Sequence, residues 1–104
     1  MKITTLLPTT DNDGSAFPES QLDAIVQGLA VEFGGCSVEG TTDGIWFDDG
    51  TEYRDTCLRV TVVCNASRLE DIRNRVIAIG RELGQLAMYF EVRDYDGVQF
   101  LRMD

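Results

Sequence analysis

The chain has 104 residues, 43% of them hydrophobic and 9% aromatic, and a formal net charge of −9, which fits one globular domain, 1–104, large enough for a hydrophobic core. With 9 Lys and Arg against 18 Asp and Glu, it lacks the clustered cations needed to bind nucleic acid directly or to hold an anionic membrane surface. It contains no histidine, which removes the commonest general base, any Ser-His or Cys-His nucleophile pair and most zinc sites.

The start, MKITTLLPTTDNDG, has no signal-peptide h-region or cleavage site, so a cytoplasmic protein is expected. No apolar run approaches the ~20 residues of a membrane span. KITTLL (2–7) is β-rich and stops at Pro8, which cannot donate to a ladder. PTTDNDGSAF then reads as a loop of turn formers. Within it, DNDG (11–14) resembles the start of a calcium loop, but with Gly14 at the sixth position Thr9 and Ser20 occupy the first and twelfth, and the match fails.

Pro18 suits a first helical turn, and Leu22, Ile25, Val26, Leu29 and Phe33 recur at helical spacing until Gly34-Gly35. The outer face of this helix, with Glu19, Asp23 and Gln27, is acidic. A strand follows from CSVEG, and Asp48-Asp49-Gly50 is a turn signal between the β-rich segments IWF and TEYRDTCLRV. Alternation sets Ile45 and Phe47 on one side of that hairpin and Trp46 on the other. A two-stranded ribbon spreads Asp43, Asp49, Glu52 and Asp55 over two faces and both ends, which argues against a converging cation site; no metal or cofactor is expected.

Strand 3, DTCLRVTVVCN (55–65), leads into a second helix. Ser67-Arg68-Leu69-Glu70 has the form of a capping box, Asp71 and Arg75 stand at i, i+4, and Leu69, Ile72, Val76, Ile79 and Leu83 form one apolar stripe ended by Gly84. Gly80 and Gly84 make a G-x-x-x-G, weak evidence in such a helix. Leu86, Met88, Phe90 and Val92 then alternate with Ala87, Tyr89, Glu91 and Arg93 as a strand, and DYDG (94–97) turns into a short last strand, VQFLR. The order is βαββαβ, with a coarse repeat in which Gly34 and Gly84 end the two helices. The predicted fold is α+β, a ferredoxin-like sandwich with an antiparallel sheet, both helices on one face and room for an extra C-terminal edge strand.

Cys36, Cys57 and Cys64 are odd in number and read as free, mostly buried thiols; no cation lies near Cys36 to activate it. Charge is unevenly placed. Residues 1–53 hold Asp11, Asp13, Glu19, Asp23, Glu32, Glu39, Asp43, Asp48, Asp49 and Glu52 against Lys2 alone, whereas the second half is neutral. Such a field attracts a basic partner, although acidity that merely keeps a small protein soluble explains it equally well.

LLPTTDNDGSAFP, FGGCSVEG and GIWFDDGTEYRDTCLRV together resemble a pattern in small uncharacterised bacterial proteins with a ferredoxin-like fold. That pattern pairs an L-P-x-x-D-N-x-G-x-x-F-P loop with a G-x-W-x-D-x-G-x-x-Y-x-D hairpin, matched at Gly44, Trp46, Asp48, Gly50, Tyr53 and Asp55. The likeness covers most of the first two-thirds of the chain. It implies the fold and brings no activity.

Two functions follow as expectations. The first is a non-enzymatic acidic module, without catalytic residues, that inhibits or regulates a basic protein partner such as a nucleic-acid-processing complex. One form is a nucleic-acid mimic of the anti-CRISPR or anti-restriction type, using Asp11, Asp13, Glu19, Asp23, Asp43, Asp48, Asp49 and Glu52 in place of phosphates. The alternative is a small-molecule sensor or small enzyme, dimerising through its sheets, with Trp46, Tyr53 and Tyr89 around the ligand; a bare homodimer module is a third option.

Overall fold

A computed structural model of the chain describes residues 1–94 and 99–103. The elements run β1 (Lys2–Pro8), α1 (Glu19–Phe33), β2 (Ser37–Asp48), β3 (Thr51–Val63), a 3-10 turn (Ala66–Arg68), α2 (Leu69–Glu82) and β4 (Phe90–Arg93). The four strands form one sheet in the order β2-β3-β1-β4, with every neighbouring pair antiparallel.

The register explains the layering. Ile3 faces Val62, Thr5 faces Val60 and Leu7 faces Leu58, so alternation puts all six on one side of the sheet. Against that side lie Leu22, Ile25, Leu29 and Phe33 of α1 and Ile72, Val76 and Ile79 of α2, with Leu83 just beyond it, in a single buried cluster. Both helical stripes legible in the sequence are thus the faces turned to the sheet. Leu7 and Leu29 are completely buried.

The opposite face of the sheet is polar. Thr4 and Thr61 stand directly opposite each other, their hydroxyls 3.2 Å apart and both residues buried. The charged chains of Lys2, Glu39, Arg59, Glu91 and Arg93 link up across this face at 3.2–3.7 Å. Exposed pairs of this kind contribute at most about 1 kcal/mol each. Their main effect here is to shield the threonine pair with aliphatic stems.

Several local expectations are corrected. The capping box does not form: the 3-10 turn takes Ser67 into its interior, α2 begins at Leu69, and no side chain caps the helix. Asp71 pairs with Arg68, and Arg75 reaches across to Glu32 of α1 at 3.2 Å, so the pairing is set by the neighbouring helix rather than by i, i+4 spacing. Pro18 sits at the N-cap of α1 rather than inside its first turn.

The last strand is also shorter than its alternation suggests, covering only Phe90–Arg93. After α2 the amide of Gly84 donates to the carbonyl of Arg81 and that of Gln85 to the carbonyl of Gly80. This left-handed helix stop, with Gly84 at φ +66°, satisfies the orphan carbonyls. The chain then crosses back over Gly80, where a Cβ would lie 2.6 Å from the Cγ of Met88. Met88 packs on the core while Leu86 is 90% exposed, and the chain rejoins the sheet only at Tyr89, whose carbonyl accepts the hydroxyl of Thr5. The expected turn DYDG lies largely outside the described residues, as does Tyr95, and residues 99–103 form no strand.

Candidate functional site

β1 ends where Pro8 faces Cys57, but β2 and β3 continue pairing from Thr42–Cys57 to Asp48–Thr51. The six β2 residues past that point, 43–48, have no third strand beside them among the described residues and project roughly 20 Å at the usual rise per residue. The molecule is accordingly elongated, with extents of 52 × 28 × 23 Å. The tip is a two-residue turn with Asp49 at φ +50° and Gly50 at φ +77°, the backbone that matches strand twist and that an Asp-Gly pair accommodates.

The arm is pinned across its two strands. Trp46 and Tyr53, a directly facing pair, stack with ring centroids 4.5 Å apart and planes 19° from parallel. The indole Nε1–H of Trp46 donates to Oδ2 of Asp55 at 2.7 Å, and the hydroxyl of Thr56 donates to Oδ1 of Asp43 at 2.8 Å. On the other side of the ribbon Ile45 and Phe47 are 56% and 68% exposed. The arm therefore shows aromatic or aliphatic surface on both faces, held by hydrogen bonds that remove much of the cost of ordering on contact.

The fold gathers the acidic loop and helix end at the base of this arm. The amide and hydroxyl of Thr9 both donate to the carbonyl of Thr56, Asn12 donates to the carbonyl of Gly84, and Gln21 donates to Glu82. The loop with Asp11 and Asp13, the start of α1 with Glu19 and Asp23, and the end of α2 thus share the end from which the arm projects. Oδ1 of Asp11 accepts the amides of Asp13 and Ser15 at 2.9 Å, so this carboxylate shapes its own turn.

Charge compensation is lopsided. Lys2, Arg59, Arg68, Arg73, Arg75 and Arg93 are engaged with Glu39, Glu91, Asp71, Glu70 and Glu32 on the sheet face and the helices. At the arm end, among the described residues, Arg54 pairs with Glu52, and Asp11, Asp13, Glu19, Asp23, Asp43, Asp48 and Asp49 have no cation within 4.0 Å. Of the residues singled out in the sequence, Glu52 is thus partly neutralised and the other seven stand without a paired cation at one end of the molecule, which also carries Arg81 in the last turn of α2. Among the described residues no three acidic or thiol side chains are grouped to hold a metal ion.

Trp46 and Tyr53 stand together, but Tyr89 lies at the other edge of the sheet, where its carbonyl accepts the hydroxyl of Thr5 at 2.7 Å. The three do not surround one space. The sequence reading missed Ile45, Phe47 and Asp55 as parts of the site; their signal was the alternation through IWF and the Asp two residues past Tyr53. It also missed the ion-pair lattice on the open face, whose members Lys2, Glu39, Arg59, Glu91 and Arg93 are scattered over four separate strands.

Cys36, Cys57 and Cys64 are free and half-buried. Burial raises the pKa of Cys36 above the ordinary thiol range; burial and then the Asp55 carboxylate do the same for Cys57. Among the described residues no helix is long and apolar enough to cross a membrane. No protein-family model matches this chain, and no curated protein is significantly similar to it.

Proposed function

We propose that this chain is a non-enzymatic acidic protein-binding module of the cytoplasm, built as a ferredoxin-like βαββαβ sandwich, that inhibits or regulates a partner with a basic surface. The observation that carries this reading is the β2–β3 arm: uncompensated Asp43, Asp48 and Asp49 beside exposed Ile45, Trp46 and Phe47. Aromatic anchors rimmed by charge are the usual make-up of an interface hot spot, with charge setting encounter rate and partner choice. The sheet order β2-β3-β1-β4 supports the fold assignment, as does the likeness to the small bacterial proteins with the same loop and hairpin. A surface that normally holds nucleic acid fits best, since it offers clustered cations, and occupying it makes the module a nucleic-acid mimic.

The test is capture of partners from host-like lysate by the intact protein and by the Asp48→Asn/Asp49→Asn and Trp46→Ala variants. A single basic partner should be retained at about 0.05 M salt and lost at about 0.5 M, where the Debye length falls below ~5 Å. Charge neutralisation should slow association; Trp46→Ala should speed dissociation. Binding indifferent to salt and to Asp48 and Asp49 would sink the proposal.

A further inference from the structure

Among the described residues β2 is an edge strand over its whole length, and the hairpin sets what its outer edge offers. A two-residue loop is closed by a hydrogen-bonded pair, here Asp48–Thr51, and such pairs alternate with non-hydrogen-bonded ones. Asp48, Trp46, Gly44 and Thr42 therefore turn their amides and carbonyls to β3. Those of Phe47, Ile45, Asp43 and Thr41 point outward, away from the sheet.

Long exposed edges are normally blunted by proline, lysine or a bulge. Here the bulge falls at Glu39–Gly40, near the base, and residues 41–48 contain neither proline nor lysine. The one guard on the arm is negative charge, and that guard is selective. A second copy laid antiparallel on this edge would bring two arms of like net charge together, which is unfavourable. A strand bearing Lys or Arg meets no such barrier.

Resting on the reading of this protein as an acidic binding module, we infer that the free edge of β2 from Thr41 to Phe47 is the docking site and that it takes an extended basic segment of the partner as a fifth strand. The main chain of that segment pairs with the outward groups of Asp43, Ile45 and Phe47. Its basic side chains lie on the side of Trp46 and Asp48, where Gly44 leaves the flank of the indole open to them. Its apolar ones lie on the other side, over Ile45 and Phe47. Strand addition of this type draws affinity from the main chain and specificity from alternate side chains.

The probe is a short end-capped peptide alternating arginine and valine, added to the intact protein and followed by amide exchange and Trp46 fluorescence. The amides of Asp43, Ile45 and Phe47 should exchange about tenfold more slowly with peptide bound, each having gained a hydrogen bond. The glutamate–valine peptide should not bind. The arginine–valine peptide N-methylated at alternate residues, which keeps charge but loses one hydrogen-bonding edge, should bind at least about tenfold more weakly. Ile45→Pro removes an outward donor without breaking the β2–β3 ladder and should weaken binding equally; if it disturbs the arm, the N-methylated peptide carries the test.

Equal binding of the methylated peptide, unchanged exchange at the three amides, or no binding overturns strand addition. The acidic-module reading falls separately, only if partner capture ignores Asp48→Asn/Asp49→Asn.

Discussion

Replacing Asp55 by Ala should loosen the arm while leaving the sandwich folded. Its carboxylate accepts the indole N–H of Trp46 at 2.7 Å from a half-buried position, so solvent screening keeps the bond near the neutral range, about 1 kcal/mol. The stack it steadies has both rings more than 40% exposed and adds about 0.5 kcal/mol, the low end for aromatic pairs. Losing the bond and part of the stack should raise the population of opened arm about fivefold to tenfold. Because residues 43–56 lack a β1 neighbour, that opening is local. Exchange at the Trp46 and Tyr53 amides should quicken by this factor, and at Leu29 and Ile72 it should not change. In a cycle with Trp46→Phe, the two substitutions should couple by about 1 kcal/mol. Additive effects, or equal acceleration in arm and core, would refute the account.

Gly80→Ala should destabilise the protein by about 1 kcal/mol, overpacking against Met88 exceeding the gain in helix propensity, and adding Met88→Ala should restore part of it in chemical denaturation. Leu29→Ala, in a fully buried position of α1, should cost about 2–5 kcal/mol and lower the Tm by more than about 10 °C. Cys57 should alkylate more slowly than an unstructured thiol at mildly alkaline pH, and Asp55→Asn should speed it, since burial and then that carboxylate raise its pKa. The folded state favours the neutral thiol, so this contribution to stability is intact below the unfolded thiol pKa and is lost as pH rises through the folded one. Mass mapping of labelled Cys57 and melts across that range check both.

The sequence alone determined what depends on neighbours along the chain. Both helices, their buried stripes, the Asp-Gly turn, the sidedness of Ile45, Trp46 and Phe47, and the βαββαβ order were legible, because periods of 3.6 and 2 and the backbone demands of turns are local properties. So was the total charge. Where that charge is compensated was decided by tertiary structure: Arg75 leaves Asp71 for Glu32 on another helix, and Arg59 joins two strands, since ion pairs form between whatever chains the packing brings within reach. The arm itself arises because β1 stops at Pro8 while β2 and β3 run on, a mismatch of strand lengths visible only once the strands are paired. The split of Tyr89 from Trp46 and Tyr53 has the same origin: sheet order separates residues that alternation alone made equivalent. Strand pairing links residues distant in the chain, and no local pattern carries that information.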